Sequence, residues 1–188
     1  MNRDHIAGLA QIRRRLGAAA VHVDVAVRHQ LPCLRTRGCQ TQPEQKQEKI
    51  DWLKANARNI RTIDPSDTDF RDLAFLKSEL AGVQVIALGE QSHGDGSTFS
   101  AKARLIKFLH QEMGFEVLAF ESGLMDCALA WQQLQDGILA DSAFSTGLFR
   151  IWSKSLQVKP VRDYVQNQLR KGDTLFLAGF DHQPSGNI

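Results

Sequence analysis

A glutamate and a histidine stand three positions apart in the glycine-bounded segment Gly89 to Gly94, and this pair is the part of the chain best suited to chemistry. Glu90 and His93 follow directly after residues 83–88, a nearly continuous apolar run that predicts a strand covered on both faces. Open α/β sheets bind ligands at the carboxyl ends of their strands, so both side chains are predicted to reach one site. A carboxylate that bonds one imidazole nitrogen leaves the other nitrogen to accept a proton from water.

Two later segments repeat this arrangement of an apolar run followed by polar residues. Residues 116–120 predict a second strand, which ends at Glu121, and residues 174–178 predict a third, which is followed by Asp181 and His182. The short joints and the helix between the first and second runs predict that these two strands are parallel, with a right-handed crossover, and the third is expected to run in the same direction. Parallel strands end at the same edge of a sheet, so these polar residues are expected to gather around His93.

Helical periodicity separates and flanks the predicted strands. The spacing of apolar residues and the positions of capping residues predict helices at about 48–60, 70–80, 98–113, 124–135 and 161–170. Ser97 or Thr98 is expected to cap the third of these helices, Gly114 to end it, and His110 to lie on its solvated surface. The predicted fold class is α/β, with a mostly parallel sheet covered by helices on both faces in three layers and incomplete in this chain.

Three functions compete for the residues at the sheet edge. His93 could act as a general base with Glu90 and Glu121 as its acidic partners. The same three residues could instead hold a metal or a haem-like ligand in a non-catalytic binding module, since mixed imidazole and carboxylate ligands suit zinc, iron or manganese. The chain could also be an inactive remnant, in which His93 bonds a loop carbonyl and Glu121 caps a helix.

Composition narrows the class of protein. The 188 residues are 43% apolar and 23% charged, which is typical of a globular chain and too polar for a membrane span. Residues 1–45 hold seven basic and three acidic side chains, and the remaining residues hold 16 basic and 18 acidic ones. That balance gives no concentrated basic face for nucleic acid or an anionic membrane.

The domain organisation predicted from this change in composition is a poorly ordered extension over 1–45 and one α/β portion over 46–188. A signal peptide fits the first segment less well because His22 and Asp24 interrupt its apolar core. An organelle-targeting leader fits less well because the segment has no clean amphipathic period. Three cysteines without metal spacing indicate unpaired thiols and a reducing compartment, so a cytoplasmic location is expected.

Several separate motifs, in the right order, resemble the erythromycin esterase family. They cover about residues 48–188 and read Leu88-Gly-Glu-Gln-Ser-His-Gly94, Arg104-Leu-Ile-Lys-Phe-Leu109 and Gly114-Phe-Glu-Val-Leu-Ala-Phe-Glu121, with weaker matches at 52–57, 72–76 and 179–183. Gln91 and Ser92 stand where the family often has a small residue and threonine.

The resemblance implies a hydrolase that opens macrolide lactones or other carboxylic esters without a metal, a cofactor or a nucleophilic serine. By position His93 would be the base, Glu90 its neighbouring acid and Glu121 the second acid. The matches at Arg104 and Asp181, together with Ser92, imply supporting or substrate-binding roles. Family members continue past the equivalent of Gly179-Phe-Asp181, so the resemblance implies that this chain corresponds to the N-terminal portion and needs the C-terminal half to complete the cleft.

Overall fold

The computed structural model describes residues 43–89 and 92–186, which form a mixed α/β structure with a small parallel sheet packed against helices. The predicted extension over 1–45 lies almost wholly outside the described residues. In chain order the elements are α1 (Pro43–Asn56), a 3-10 turn (Arg71–Leu73), α2 (Leu76–Glu79), α3 (Gly96–Met113), β1 (Val117–Gly123), α4 (Leu124–Gln135), α5 (Ala140–Gly147), α6 (Arg150–Ser153), α7 (Lys159–Lys171) and β2 (Phe176–Asp181).

The sheet confirms that the second and third apolar runs are strands in the same direction, and they are paired with each other. The strand pair predicted between the first and second runs is not formed in the described part of the chain. Val117 pairs with Phe176 and Phe120 with Gly179, and the register shifts once before Gly123 pairs with Asp181. Each strand begins and ends a few residues later than its sequence pattern suggests. Glu121 and Asp181 therefore belong to the last residues of the strands rather than to the loops after them.

The predicted first strand over 83–88 is wrong as a regular element. In the described part of the chain this run contains one isolated bridge residue, Ile86, and the sheet has two strands, β1 and β2. The three-layer architecture therefore reduces, in the residues that the structure describes, to two strands and their helices. The expected cover on both faces is also absent, because residues 83–88 are only partly buried and Gln84 is exposed. Apolar character alone did not supply a neighbouring strand for the backbone to pair with.

The faces of β1 explain which residues can form a site. Leu118 and Phe120 pack against the main hydrophobic cluster, whereas Ala119 and Glu121 alternate with them and are exposed. This alternation follows from the two-residue period of a strand. Glu121 is therefore exposed at the carboxyl end of β1, where the register shift begins.

Helix α3 is bounded by two local signals. Asp95, rather than the expected Ser97 or Thr98, is the N-terminal cap, and its Oδ1 accepts from the backbone N–H groups of Ser97 and Thr98 at 3.0 and 3.3 Å. The Thr98 hydroxyl also donates to the Asp95 Oδ2 at 2.5 Å. This hydrogen bond is the largest cause, with the two from the backbone, of the lowered pKa of Asp95. Gly114 ends the helix at φ 72°, as expected, because glycine adopts the left-handed region without strain.

Helices α4 and α7 lie where the sequence pattern places them. The bounds of α4 are those expected, and α7 begins with Pro160 in its first turn and ends at Gly172. Between them, α5 approaches α4 at Gly147, where an added Cβ would lie 2.5 Å from the Cβ of Ala130. Burial raises the pKa of the Cys127 thiol at this contact to about 12, so it is an inert core group.

Helix α1 has the expected helical conformation but does not join the core. Trp52 and Leu53 are exposed, and residues 51–61 are exposed throughout. Among the described residues, no helix is both long enough and apolar enough to cross a bilayer.

Candidate functional site

The candidate base, His93, lies in a turn immediately before α3. The turn is closed by a hydrogen bond from the Asp95 backbone N–H to the Ser92 carbonyl oxygen, 3.2 Å, and by another from the Gly94 N–H to the Ser92 Oγ, 3.3 Å. Ser92 and His93 are both exposed. Glu90, the first predicted acid, lies outside the described residues.

The imidazole of His93 packs edge-to-face against the indole of Trp152. Their ring centroids are 5.7 Å apart and their planes cross at 83°. Trp152 is 7% exposed and also contacts Phe99 of α3, at 5.2 Å, and Phe120 of β1, at 6.3 Å. The exposed His93 ring is thus packed on one side against a buried cluster of aromatic side chains.

The second predicted acid, Glu121, lies one residue before a buried contact between β1 and α6. Ser122 is fully buried, and its Oγ accepts a hydrogen bond from the Phe149 backbone N–H at 3.2 Å. Phe149 is the residue before α6, the helix that carries Trp152. The strand end that holds Glu121 and the turn that holds His93 are therefore joined through one short helix.

Arg104 is buried, and its guanidinium contacts residues 62–72 instead of opening to solvent. Its Nη2 donates to the Asp72 Oδ1 at 2.6 Å and to the Asp69 carbonyl oxygen at 2.6 Å, while Nη1 donates to the Asp72 Oδ2 at 2.9 Å and to the Thr62 carbonyl oxygen at 3.1 Å. Both terminal nitrogens are thereby occupied. In this structure Arg104 attaches the preceding loop to α3.

Asp181 occupies the end of β2, where its carboxylate serves the local turn. Its Oδ1 accepts from the Gln183 backbone N–H at 3.0 Å and lies 3.3 Å from the Nδ1 of His182. The His182 side chain is 92% exposed. These contacts stabilise the turn that follows β2.

Sequence reasoning missed a buried acid at the same end of the sheet. Asp126 is 4% exposed, and its Oδ2 accepts from the backbone N–H groups of Ser185, at 2.5 Å, and Gly186, at 3.1 Å. The Ser185 Oγ in turn accepts from the Gly123 N–H at 2.8 Å. The sequence signal for Asp126 was an acidic residue in the first turn of α4, directly after a strand. The same position is common for acidic residues at ordinary helix N-termini, so it did not mark Asp126 as special.

Within residues 43–89 and 92–186 there is no group of three or more histidine, cysteine, aspartate or glutamate side chains arranged to hold a metal ion. The predicted set of Glu90, His93 and Glu121 includes one residue outside that range.

Comparisons with known proteins relate the chain to larger relatives. No protein-family model matches it. Over 136 residues it is 37% identical to a Bacillus subtilis (strain 168) protein named "Putative hydrolase YbfO", a match that spans 72% of this chain and 29% of the relative. The chain is thus homologous to part of a larger protein.

Two solved structures share the fold, each with a TM-score of 0.63 and each matched over 72% of this chain. One, described as a succinoglycan biosynthesis protein, is 24% identical over 34% of its own length. The other is a Bacillus cereus protein, 22% identical over 33% of its length. The chain spans about a third of these relatives.

Proposed function

We propose that this chain carries the water-activating part of a hydrolase site that cleaves a carboxylic ester or a macrolide lactone. The observation that carries the proposal is the placement of His93, exposed at the start of α3 and supported by Trp152, which is joined to the strand end of Glu121. The kinship with a protein named as a hydrolase and the motifs of the erythromycin esterase type support the same reaction class.

In the proposed reaction, a water molecule attacks the ester carbonyl while the His93 imidazole removes a proton from it. Glu90 and Glu121 orient the imidazole and the water, since a carboxylate partner fixes the tautomer and increases the basicity of the ring. The proton on the imidazole then passes to the departing alkoxide. No acyl-enzyme forms, and no resident metal or cofactor takes part.

The supporting residues have different tasks in this proposal. Ser92 and Asp181 maintain the turns beside the site, and Arg104 supports it indirectly by holding residues 62–72 against α3. The Arg104 terminal nitrogens are bonded to protein acceptors, so we propose that the cation that stabilises the oxyanion comes from another group.

We propose further that residues 46–188 form the N-terminal portion of a cytoplasmic α/β hydrolase domain. Its partner would be a small ester or lactone rather than nucleic acid or a membrane, and a C-terminal portion would add further substrate contacts to the cleft.

The test is hydrolysis of p-nitrophenyl esters and of macrolide lactones by the intact chain, with ring-opened acid detected by mass spectrometry. Glu121→Gln should lower kcat/KM at least tenfold, because it removes a carboxylate that orients the base. The matched control is Glu112→Gln, an exposed glutamate on α3 that pairs with Lys77. Absence of hydrolysis by the folded chain on every substrate, or equal activity of both variants, would contradict the proposal.

A further inference from the structure

We propose that Trp152 is the positioning residue for His93, holding the imidazole in one orientation by an edge-to-face contact. The inference rests on the proposed function for its catalytic consequence, although the contact itself can be measured without any activity. Aromatic rings prefer this perpendicular geometry at centroid separations of about 4.5–7 Å, and the pair lies within it at 5.7 Å and 83°.

Trp152 can restrain another ring because its own helix is anchored on both sides. Before α6, the Phe149 backbone N–H donates to the buried Ser122 Oγ of β1. At the end of α6, the Ser153 carbonyl oxygen accepts a hydrogen bond from the guanidinium of Arg162 in α7. Arg162 is 7% exposed and also forms an ion pair with Asp141 at 3.1 Å. A four-residue helix has little stability of its own, so these two attachments define its position.

The rest of the indole surface is packed as well. Phe99 meets it at 88° from the first turn of α3, and Phe120 meets it from β1. The loop after α6 approaches the start of α3 separately, since a Cβ added at Gly96 would lie 3.1 Å from the Gln157 side chain. Rotation of Trp152 would therefore disturb its contacts with α3 and β1 together.

The indole of Trp152 restricts rotation of the candidate base, the His93 ring, through this edge-to-face packing contact. A base held in one orientation reacts faster than one that samples many, and small misplacements cost up to about a hundredfold in rate. Trp152 is therefore expected to influence kcat more than KM.

The experiment compares Trp152→Leu and Trp152→Phe with a matched control, Trp131→Leu. Trp131 is equally buried at 9% exposed, but it packs against Phe176 instead of His93. The first readout is the proton NMR spectrum of the His93 ring, assigned by its loss in His93→Asn. The second is kcat and KM for ester hydrolysis.

The expected result is that Trp152→Leu abolishes the ring-current shift of the His93 protons and lowers kcat about tenfold, with KM changed less than twofold. Trp152→Phe should retain much of the shift and at least a third of kcat, and Trp131→Leu should leave both unchanged. If Trp152→Leu does not fold, Trp152→Met offers a flexible side chain that adapts to the cavity, lacks the ring and should show the same losses.

The inference is overturned if the His93 resonances in folded Trp152→Leu or Trp152→Met match those of the parent chain. It is also overturned if kcat falls equally in Trp131→Leu. If the parent chain hydrolyses no ester, the proposed function fails, and the NMR comparison alone then decides whether Trp152 orients His93.

Discussion

The buried Arg104 and the partly buried Asp72 form an ion pair with two hydrogen bonds, from Nη2 to Oδ1 at 2.6 Å and from Nη1 to Oδ2 at 2.9 Å. The backbone N–H of Arg61 also donates to the Asp72 Oδ2 at 2.8 Å. The pair thus connects α3, the helix that begins beside His93, to the loop before it. The hydrogen bonds from Arg104 are the main reason that the pKa of Asp72 is lowered to about 2.

Removal of the buried guanidinium should destabilise the fold. Arg104→Met leaves the Asp72 carboxylate without its partner, and such a loss costs about 3 kcal/mol in the free energy of unfolding. The control is Arg71→Met, because Arg71 pairs with Asp69 while its own side chain is 90% exposed, and surface pairs contribute less than about 1 kcal/mol. Urea unfolding measures both, and equal midpoints for the two variants would contradict the structural role of Arg104.

Acid should weaken the fold through the same pair. The folded pKa of Asp72 lies below its ordinary value, so its contribution is fully present above about pH 4 and is lost as the pH falls through the folded pKa of about 2. Asp72→Asn should lower stability at neutral pH and reduce the loss of stability between about pH 4 and 2. An unchanged slope in that interval would show that Asp72 is not a source of the acid dependence.

The buried contact between α3 and α7 should show energetic coupling. His110 Nδ1 lies 2.7 Å from the Tyr164 hydroxyl, and both side chains are buried. Tyr164→Phe is expected to cost about 1–2 kcal/mol, because it leaves a buried ring nitrogen without this partner. A double-mutant cycle with His110→Phe measures the coupling, and additive effects would mean that the contact contributes nothing.

Close approach of the two strands should forbid a side chain at Gly179. A Cβ there would lie 2.4 Å from the Ser122 carbonyl oxygen and 2.8 Å from the Cys127 Sγ. Gly179→Ala should therefore destabilise the chain by at least about 2 kcal/mol through overpacking. Gly94→Ala is the control, since the nearest atom, the Ser92 Oγ, would be 3.9 Å away. Thermal unfolding that ranks the two variants equally would contradict the packing described here.

Long periodic segments were predictable from the sequence, and short ones were not. The bounds of α4 follow from apolar spacing, and the apolar runs that became β1 and β2 marked both strands. Helices α5 and α6 have eight and four residues, too few for a clear helical period in the sequence. Their stability comes from tertiary partners.

The same reason explains the site residues that were missed or misplaced. His110 was expected on a solvated face, but Tyr164, 54 positions later, covers it. Trp152 and Asp126 gain their importance from contacts with His93 and with Ser185, which local patterns do not reveal. The motif around His93 was visible because its residue types carry chemistry irrespective of packing.

The central claim is that the His93 imidazole activates water without a metal. The most direct test measures ester or lactone hydrolysis by the intact chain and by His93→Asn, both after exhaustive treatment with a chelator. The parent chain should keep its full rate of hydrolysis after chelation. His93→Asn should lower that rate at least about a hundredfold, which is the usual contribution of a general base. Hydrolysis that disappears with the chelator, or that persists undiminished in His93→Asn, would contradict the account.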